Sequence, residues 1–237
     1  MPSPLISVIT VCYNAASLIE ETIQSVLGQD YPNLEYLIID GASTDGTLDI
    51  IKKYADRVKF VSEPDKGIYD AMNKGLKLAQ GEWVNFMNAG DTFADCNVVS
   101  DVFENRELPA NVQVIIGTTY DVYSDRRVLR PLQPVDEIAM YIPFCHQSSF
   151  TRIGTDNHWS FDTTYKMAAD YNLFYNIWER YGAEAFLQLD MPVACYRMEG
   201  STSYVNMHRT KGEYLHIRSR HRNLQWWKEW LKWHFRK

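Results

Sequence analysis

Asp40, Asp65, Asp91 and Asp170 stand where a carboxylate can act on a ligand, each beside apolar chain able to hold it still. Asn88-Ala89-Gly90-Asp91 follows the apolar run Glu82–Met87. A carboxylate there suits Mg2+ or Mn2+, hard ions that take oxygen ligands and bridge the two phosphates of a nucleoside diphosphate. Gly90 allows close backbone approach, although the tetrapeptide alone also fits an anonymous turn. Asp40 ends a second apolar run, where it can turn the chain or accept hydrogen bonds from a base or ribose once water is excluded. Tyr13-Asn14 ends the first such run, and Glu63 and Asp65 follow the third. Asp170 precedes Leu173 and Phe174 by three and four residues, so it shares the helix face of Ile177, Trp178 and Tyr181. An acid so placed can take a proton from an acceptor hydroxyl or complement the helix dipole. His146-Gln147 is a polar pair between Pro143 and Phe150 that either meets a sugar or serves the fold.

Other chemistries lack their motifs. The first run leads into Cys12-Tyr13-Asn14-Ala15-Ala16-Ser17 and not into the G-x-G-x-x-G of a dinucleotide site. No H-x-x-x-H or H-x-H spacing suggests zinc, and no G-x-S-x-G elbow suggests hydrolysis. A sugar nucleotidyltransferase would want a Gly-rich triphosphate loop followed by basic residues, which is not found. A non-catalytic nucleotide- or glycan-binding module is the other alternative, and the carboxylates of Asp40, Asp91 and Asp170 argue against it.

The elements that must position these residues read as alternating strands and helices. Strands are expected at Leu5–Cys12, Leu34–Asp40, Val58–Ser62 and Glu82–Met87. Helices lie between them: one with a capping box at Ser17 and Glu20, one capped by Ser43 or Thr44 and reaching about Tyr54, and one ending near Ala79. Short connections then require crossovers, giving a mostly parallel sheet flanked by helices. Ligands collect beyond the carboxyl ends of such strands, where the polar residues crowd. Further on, strands are expected at Val112–Gly117 and Tyr120–Leu129, the latter as a hairpin around Asp125. A helix over Met167–Tyr181 and a strand over Ala185–Cys195 follow.

The chain has 237 residues, enough for one core with a small appendage. A net charge of −6 argues against nucleic acid as a partner of the whole molecule. The charge is uneven: residues 206–237 hold nine Lys or Arg against two acids. In that tail Leu224, Trp227, Leu231 and Phe235 recur at helical spacing, broadened by Trp226, Trp230 and Trp233. Such a basic amphipathic helix is expected to attach to an anionic membrane surface, the inner face of the cytoplasmic membrane. Packing on the main domain or a homodimer contact is the alternative. Cys12, Cys96, Cys145 and Cys195 form no C-x-x-C pair and read as buried thiols in a reducing, cytoplasmic setting. The opening residues do not read as a signal peptide, and no run of eighteen apolar residues marks a membrane span.

Taken together, SVITVCYNA, IIDGASTDGT, SEPDKGIYDAMNKGLKLAQGEWVNFMNAGD, CHQSSF and AADYNLF resemble the family 2 inverting glycosyltransferases of bacteria, of the exopolysaccharide and colanic acid type. The resemblance implies a GT-A fold with a nucleotide-binding sheet continued by an acceptor-binding half. On that pattern residues 1–205 form the catalytic domain, 1–93 mainly for the donor and 94–205 mainly for the acceptor, followed by the extension 206–237. It implies a UDP- or GDP-sugar donor and an acceptor hydroxyl on a glycan precursor, a lipid-diphosphate-linked saccharide. Val11, Cys12 and Tyr13 would line the nucleotide, Asp40 would contact the base, and Asp65 and Asn88 would lie on the donor side. Asp91 would ligate Mg2+ or Mn2+, Asp170 would be the catalytic base, and His146 and Gln147 would meet a sugar. Asn88 and Gly90 stand where many members have aspartates, and Ala169-Asp170 replaces the usual Glu-Asp pair.

Overall fold

Strands buried on both faces need apolar side chains in both directions, and the first strands supply them. In β1 (Ile6–Cys12), Ile9 and Val11 enter one core layer while Ile6 and Val8 enter the other. β2 (Leu34–Asp40) repeats this with Leu37 and Ile39 against Tyr36 and Ile38. β2 pairs parallel to β1 from Ile6↔Leu34 to Cys12↔Asp40. β3 (Lys59–Ser62) adds to β2 and β4 (Trp83–Phe86) to β1, both parallel. The crossovers are α1 (Ile19–Leu27), α2 (Thr47–Lys52) and α3 (Ile68–Leu78). The structure, a computed structural model, describes residues 3–104, 106–153, 159–199 and 207–220.

Beyond β4 the order changes. β5 (Thr92–Phe93), α4 (Val98–Phe103), β6 (Val114–Val122) and β7 (Arg127–Arg130) are followed by a 3-10 turn, His146–Ser148, leading into β8 (Ser149–Arg152). Then come α5 (Ala169–Tyr181), β9 (Phe186–Arg197) and α6 (Met207–Arg220). The sheet order is β3-β2-β1-β4-β8-β6-β9-β5, with β7 on β6. Among the described residues four strand pairings are parallel and four antiparallel. The sheet is therefore mixed, not mostly parallel as expected. The crossover argument covers only the first four strands, and β8 enters between β4 and β6 against both. The result is one α/β domain on a mixed sheet, consistent with a GT-A-like arrangement.

This topology sets the site. β8 runs opposite to β4, so the His146–Ser148 turn ahead of β8 sits at the carboxyl end of β4. β8 is antiparallel to β6 and β6 parallel to β9, so β9 also runs with β4 and delivers Arg197 to the same edge. At Gly117 the β6–β9 register shifts, and a Cβ there would collide with Val193 and the Met191 carbonyl. Only glycine lets β9 pass that closely.

Local details depart from the expected ones. α1 starts after Leu18 without a side-chain cap, and Glu20 instead accepts a hydrogen bond from the Tyr54 hydroxyl. α2 starts after Gly46 at φ 97°, with Asp45 Oδ1 accepting the Thr47 N–H. Ser43 is thereby freed to donate to Asp40. Residues 114–122 form one strand that turns at Ser124-Asp125 into β7, joining what the sequence divides. Cys12 and Cys145 are buried, but Cys96 is exposed in the turn before α4, where no strand covers it. The described part of the C-terminal extension, α6, packs on the main domain, with Ile217 fully buried. The aromatic residues from Leu224 to Phe235 lie outside the described residues.

Candidate active site

A cleft of about 590 Å³ opens at the carboxyl edge of β1 and β4. Val11, Cys12, Tyr13, Asp65, Asn88, Asp91, His146, Gln147 and Asp170 all line it. Their convergence follows from the strand order, which brings the ends of β1 and β4, the turn before β8 and the start of α5 to one place.

The floor is built around Asp91. The turn closes through Asp91 N–H on the Asn88 carbonyl, and Gly90 takes φ 98°, a conformation that favours glycine. Thr22 Oγ1 accepts the Gly90 N–H and donates to the Asp91 carbonyl. The Asp91 carboxylate is only 5% exposed. Its Oδ1 accepts the Arg197 N–H at 2.9 Å and its Oδ2 accepts the Gln147 side-chain amide at 2.7 Å. Burial pushes this carboxyl up to about 6, against the pull of the Arg197 N–H and the Gln147 amide. Arg197 itself reaches the Gly90 carbonyl and pairs with Glu21 at 2.8 Å.

From Asp91 the polar groups continue toward α5. The Asn88 amide meets His146 Nε2 at 3.2 Å, and His146 Nδ1 lies 3.3 Å from Asp170 Oδ2. With the Asn88 NH2 donating, Nε2 must accept, so the Nδ1 proton faces Asp170. The Tyr69 hydroxyl donates to Asp170 Oδ1 at 3.1 Å. Burial and the Asp170 charge raise the Tyr69 phenol well above its ordinary range, so it stays a donor. Asn88 Oδ1 is buried with no hydrogen-bond partner, which is uncommon for a buried amide oxygen.

Asp40 is the exception. It is 0% exposed and does not line the cleft. Ser43 N–H, Ser43 Oγ, Ser62 Oγ and Cys12 Sγ all donate to it. A carboxylate so bonded ties together the ends of three strands. Asp65 stands at the cleft instead. Its Oδ1 accepts the Gly67 N–H, while its Oδ2 lies 2.6 Å from where a Cβ on Gly41 would project. The exposed Tyr13 ring borders the same gap, 3.3 Å from that point.

The residues of glycosyl transferase family 2 match this chain over positions 7–174, a span holding every cleft residue named so far except Arg197. The chain belongs to glycosyl transferase family 2. A Bacillus subtilis glycosyltransferase named for teichuronic acid biosynthesis, TuaG, is 46% identical over 92 residues, 37% of this chain and 36% of that protein. A Mycobacterium tuberculosis PGL/p-HBAD biosynthesis glycosyltransferase is 30% identical over 163 residues, 65% of this chain and 61% of that protein. The chain thus spans 36% and 61% of these relatives' lengths. Staphylococcus aureus TarS (residues 1–349) in complex with UDP-GlcNAc shares the fold at TM-score 0.66 and 22% identity, covering 85% of this chain and 61% of that one. The mannosyltransferase PcManGT of Pyrobaculum calidifontis, in complex with GDP-Man and Mn2+, gives 0.63 and 20%, covering 91% and 63%.

No group of three His, Cys, Asp or Glu side chains suited to a metal occurs among the described residues. What this family 2 site offers is the Asp91 carboxylate, with the Asn88 amide three residues before it in the same turn. That fits the sparse protein share of a hard-ion site in which substrate phosphates and water complete the shell. Tyr69 and Lys166 also border the cleft but escape the sequence reading, and Arg197 and Glu199 join them from YRMEGSTS, the polar segment after Cys195 that resembles the one following the family's acceptor domain. Tyr69 sits inside GIYDAM as an ordinary apolar position of a helix.

The raised Asp91 carboxyl has a measurable consequence. Its ordinary value is 3.8 and its folded value about 6, so the folded protein holds this proton more tightly than the unfolded chain. That contribution to stability is present below about pH 4 and lost as pH rises through 6, roughly 3 kcal/mol in all. Denaturant unfolding of the wild type and Asp91→Asn at pH 4.5 and 7 reads it. The wild type is expected to lose stability relative to the variant on going to pH 7; a pH-independent difference would contradict the assignment.

Proposed function

We propose that this chain transfers a sugar from a UDP- or GDP-sugar to a hydroxyl of a glycan precursor in bacterial surface polysaccharide synthesis, with inversion at the anomeric carbon. The observation that carries the reading is one cleft holding Asp91 and Asp170, joined through Asn88 and His146. The relatives named for teichuronic acid and PGL/p-HBAD biosynthesis, and the structures holding UDP-GlcNAc or GDP-Man with Mn2+, support it.

In this mechanism the acceptor hydroxyl attacks the anomeric carbon from the side away from the diphosphate. Asp170 takes the hydroxyl proton as the new C–O bond forms and the bond to the diphosphate breaks. Tyr69 and His146 hold the two oxygens of Asp170 in place. Asp91 with Asn88 would hold Mg2+ or Mn2+, which when bound supplies counter-charge to the departing diphosphate. Val11, Cys12, Tyr13 and Asp65 form the donor wall, and Gln147 fixes Asp91. Residues up to about 93 serve mainly the donor and 94–205 mainly the acceptor. Transfer from a UDP- or GDP-sugar releases the nucleoside diphosphate, whereas a nucleotidyltransferase consumes a triphosphate and a binding module does neither. Release of UDP or GDP from a panel of activated sugars is therefore expected. Consumption of a nucleoside triphosphate with a sugar phosphate, or no turnover of any donor, would set the reading aside.

The acceptor fits a lipid-diphosphate-linked saccharide, with the basic aromatic segment beyond α6 resting on the cytoplasmic membrane. Among the described residues no helix is long and apolar enough to cross a membrane. Flotation of the full chain with vesicles containing anionic lipid is expected to exceed that of a chain ending after Arg220. Equal flotation would leave the segment to main-domain or homodimer contacts.

A further inference from the structure

The segment that carries Asp170 is held by a residue from outside it. The backbone N–H groups of Lys166, Met167 and Ala168 all point at the Glu213 carboxylate, at 2.8 to 3.1 Å. Three successive peptide N–H groups around one anion form a nest, here immediately ahead of α5, which has no side-chain cap of its own. Glu213 comes from α6, and its side chain is 16% exposed. The same helix grips both sides of the nest. Tyr214 lies against Tyr171, the neighbour of Asp170, with ring centroids 4.3 Å apart. Arg220 pairs with Asp162 at 3.7 Å and covers the Tyr165 ring. Of the residues so fixed, Lys166, Met167 and Asp170 line the cleft.

We propose that Glu213 is a positioning residue for the transfer reaction: it pins the 166–168 backbone and thereby sets where Asp170 and Lys166 stand in the cleft. This rests on reading Asp170 as the base. Displacement of a reacting group by about 1 Å can cost on the order of 10²-fold in rate. Gln in place of Glu213 keeps the shape but loses the charge that collects three N–H groups, while Asp keeps the charge on a shorter arm. The C-terminal helix is on this account part of the active site and not only a link to the segment after it.

The test compares full-length wild type, Glu213→Gln, Glu213→Asp and Asp170→Asn. It reads release of UDP or GDP from UDP-glucose, UDP-N-acetylglucosamine and GDP-mannose with Mn2+, water or an added saccharide hydroxyl taking the sugar, together with amide exchange over residues 166–168. Glu213→Gln is expected to lower kcat roughly 10- to 100-fold with donor KM within about twofold. Exchange at 166–168 speeds up, and Glu213→Asp restores part of the rate. Wild-type kcat in Glu213→Gln beside an inactive Asp170→Asn would overturn the positioning role alone. An active Asp170→Asn would instead remove the base reading and this inference with it. Parallel loss of kcat, donor binding and thermal stability, without rescue by Asp, would make Glu213 merely structural and also overturn the proposal.

Discussion

Asp170→Asn should lower sugar transfer by roughly 10²–10⁴-fold, the range over which a positioned general base acts, while leaving donor binding close to that of the wild type. The substitution is nearly isosteric, so the Tyr69 hydroxyl keeps an acceptor oxygen. What disappears is the ability to accept the acceptor proton. Because the loss falls on a group that acts only as the bond forms, kcat and kcat/KM should fall together. Measuring steady-state rates beside titration of UDP and GDP separates the two quantities. Retained wild-type turnover would remove Asp170 from the base role, and a parallel loss of nucleotide binding would show it to be part of the donor wall.

Asp91→Ala should abolish most of the gain in UDP or GDP affinity brought by Mn2+, on the order of 10²-fold, since counter-charge at a diphosphate is worth several kcal/mol. Alanine also leaves the Arg197 N–H and the Gln147 amide without their acceptor. Each such loss costs about 1–3 kcal/mol when buried. Asp91→Asn is the control, because it keeps an acceptor oxygen and much of the packing. Both variants should bind nucleotide about equally with the metal chelated and lose the increment when it is added. An undiminished Mn2+ increment in either would show that Asp91 does not hold the ion.

Much of the cleft can be read from the sequence because its residues mark strand ends. Asn88 and Asp91 follow β4, Tyr13 follows β1, and Asp170 shares an apolar helix face, all patterns local in the chain. Asp40 shows the limit. A strand-end carboxylate looks the same whatever it bonds, and the Ser43 and Ser62 hydroxyls that donate to Asp40 lie outside the pattern of its strand. Tyr69 and Glu213 matter through partners far away in sequence, which spacing does not reveal. The mixed sheet escapes for a similar reason. β5 and β8 are two- and four-residue strands fixed by their pairing with β9, β4 and β6. α4 is made of Val98, Val99, Val102 and Phe103, residues with more taste for strands, and is helical because all four are buried under the sheet.

The most direct measurement is the anomalous diffraction map of a crystal soaked with Mn2+ and the sugar nucleotide the protein turns over. The account predicts a manganese peak bonded to Asp91 and to both phosphates, with the anomeric carbon lying between the diphosphate and Asp170. A diphosphate bound away from Asp91, or a sugar whose reacting face turns from Asp170, would contradict it.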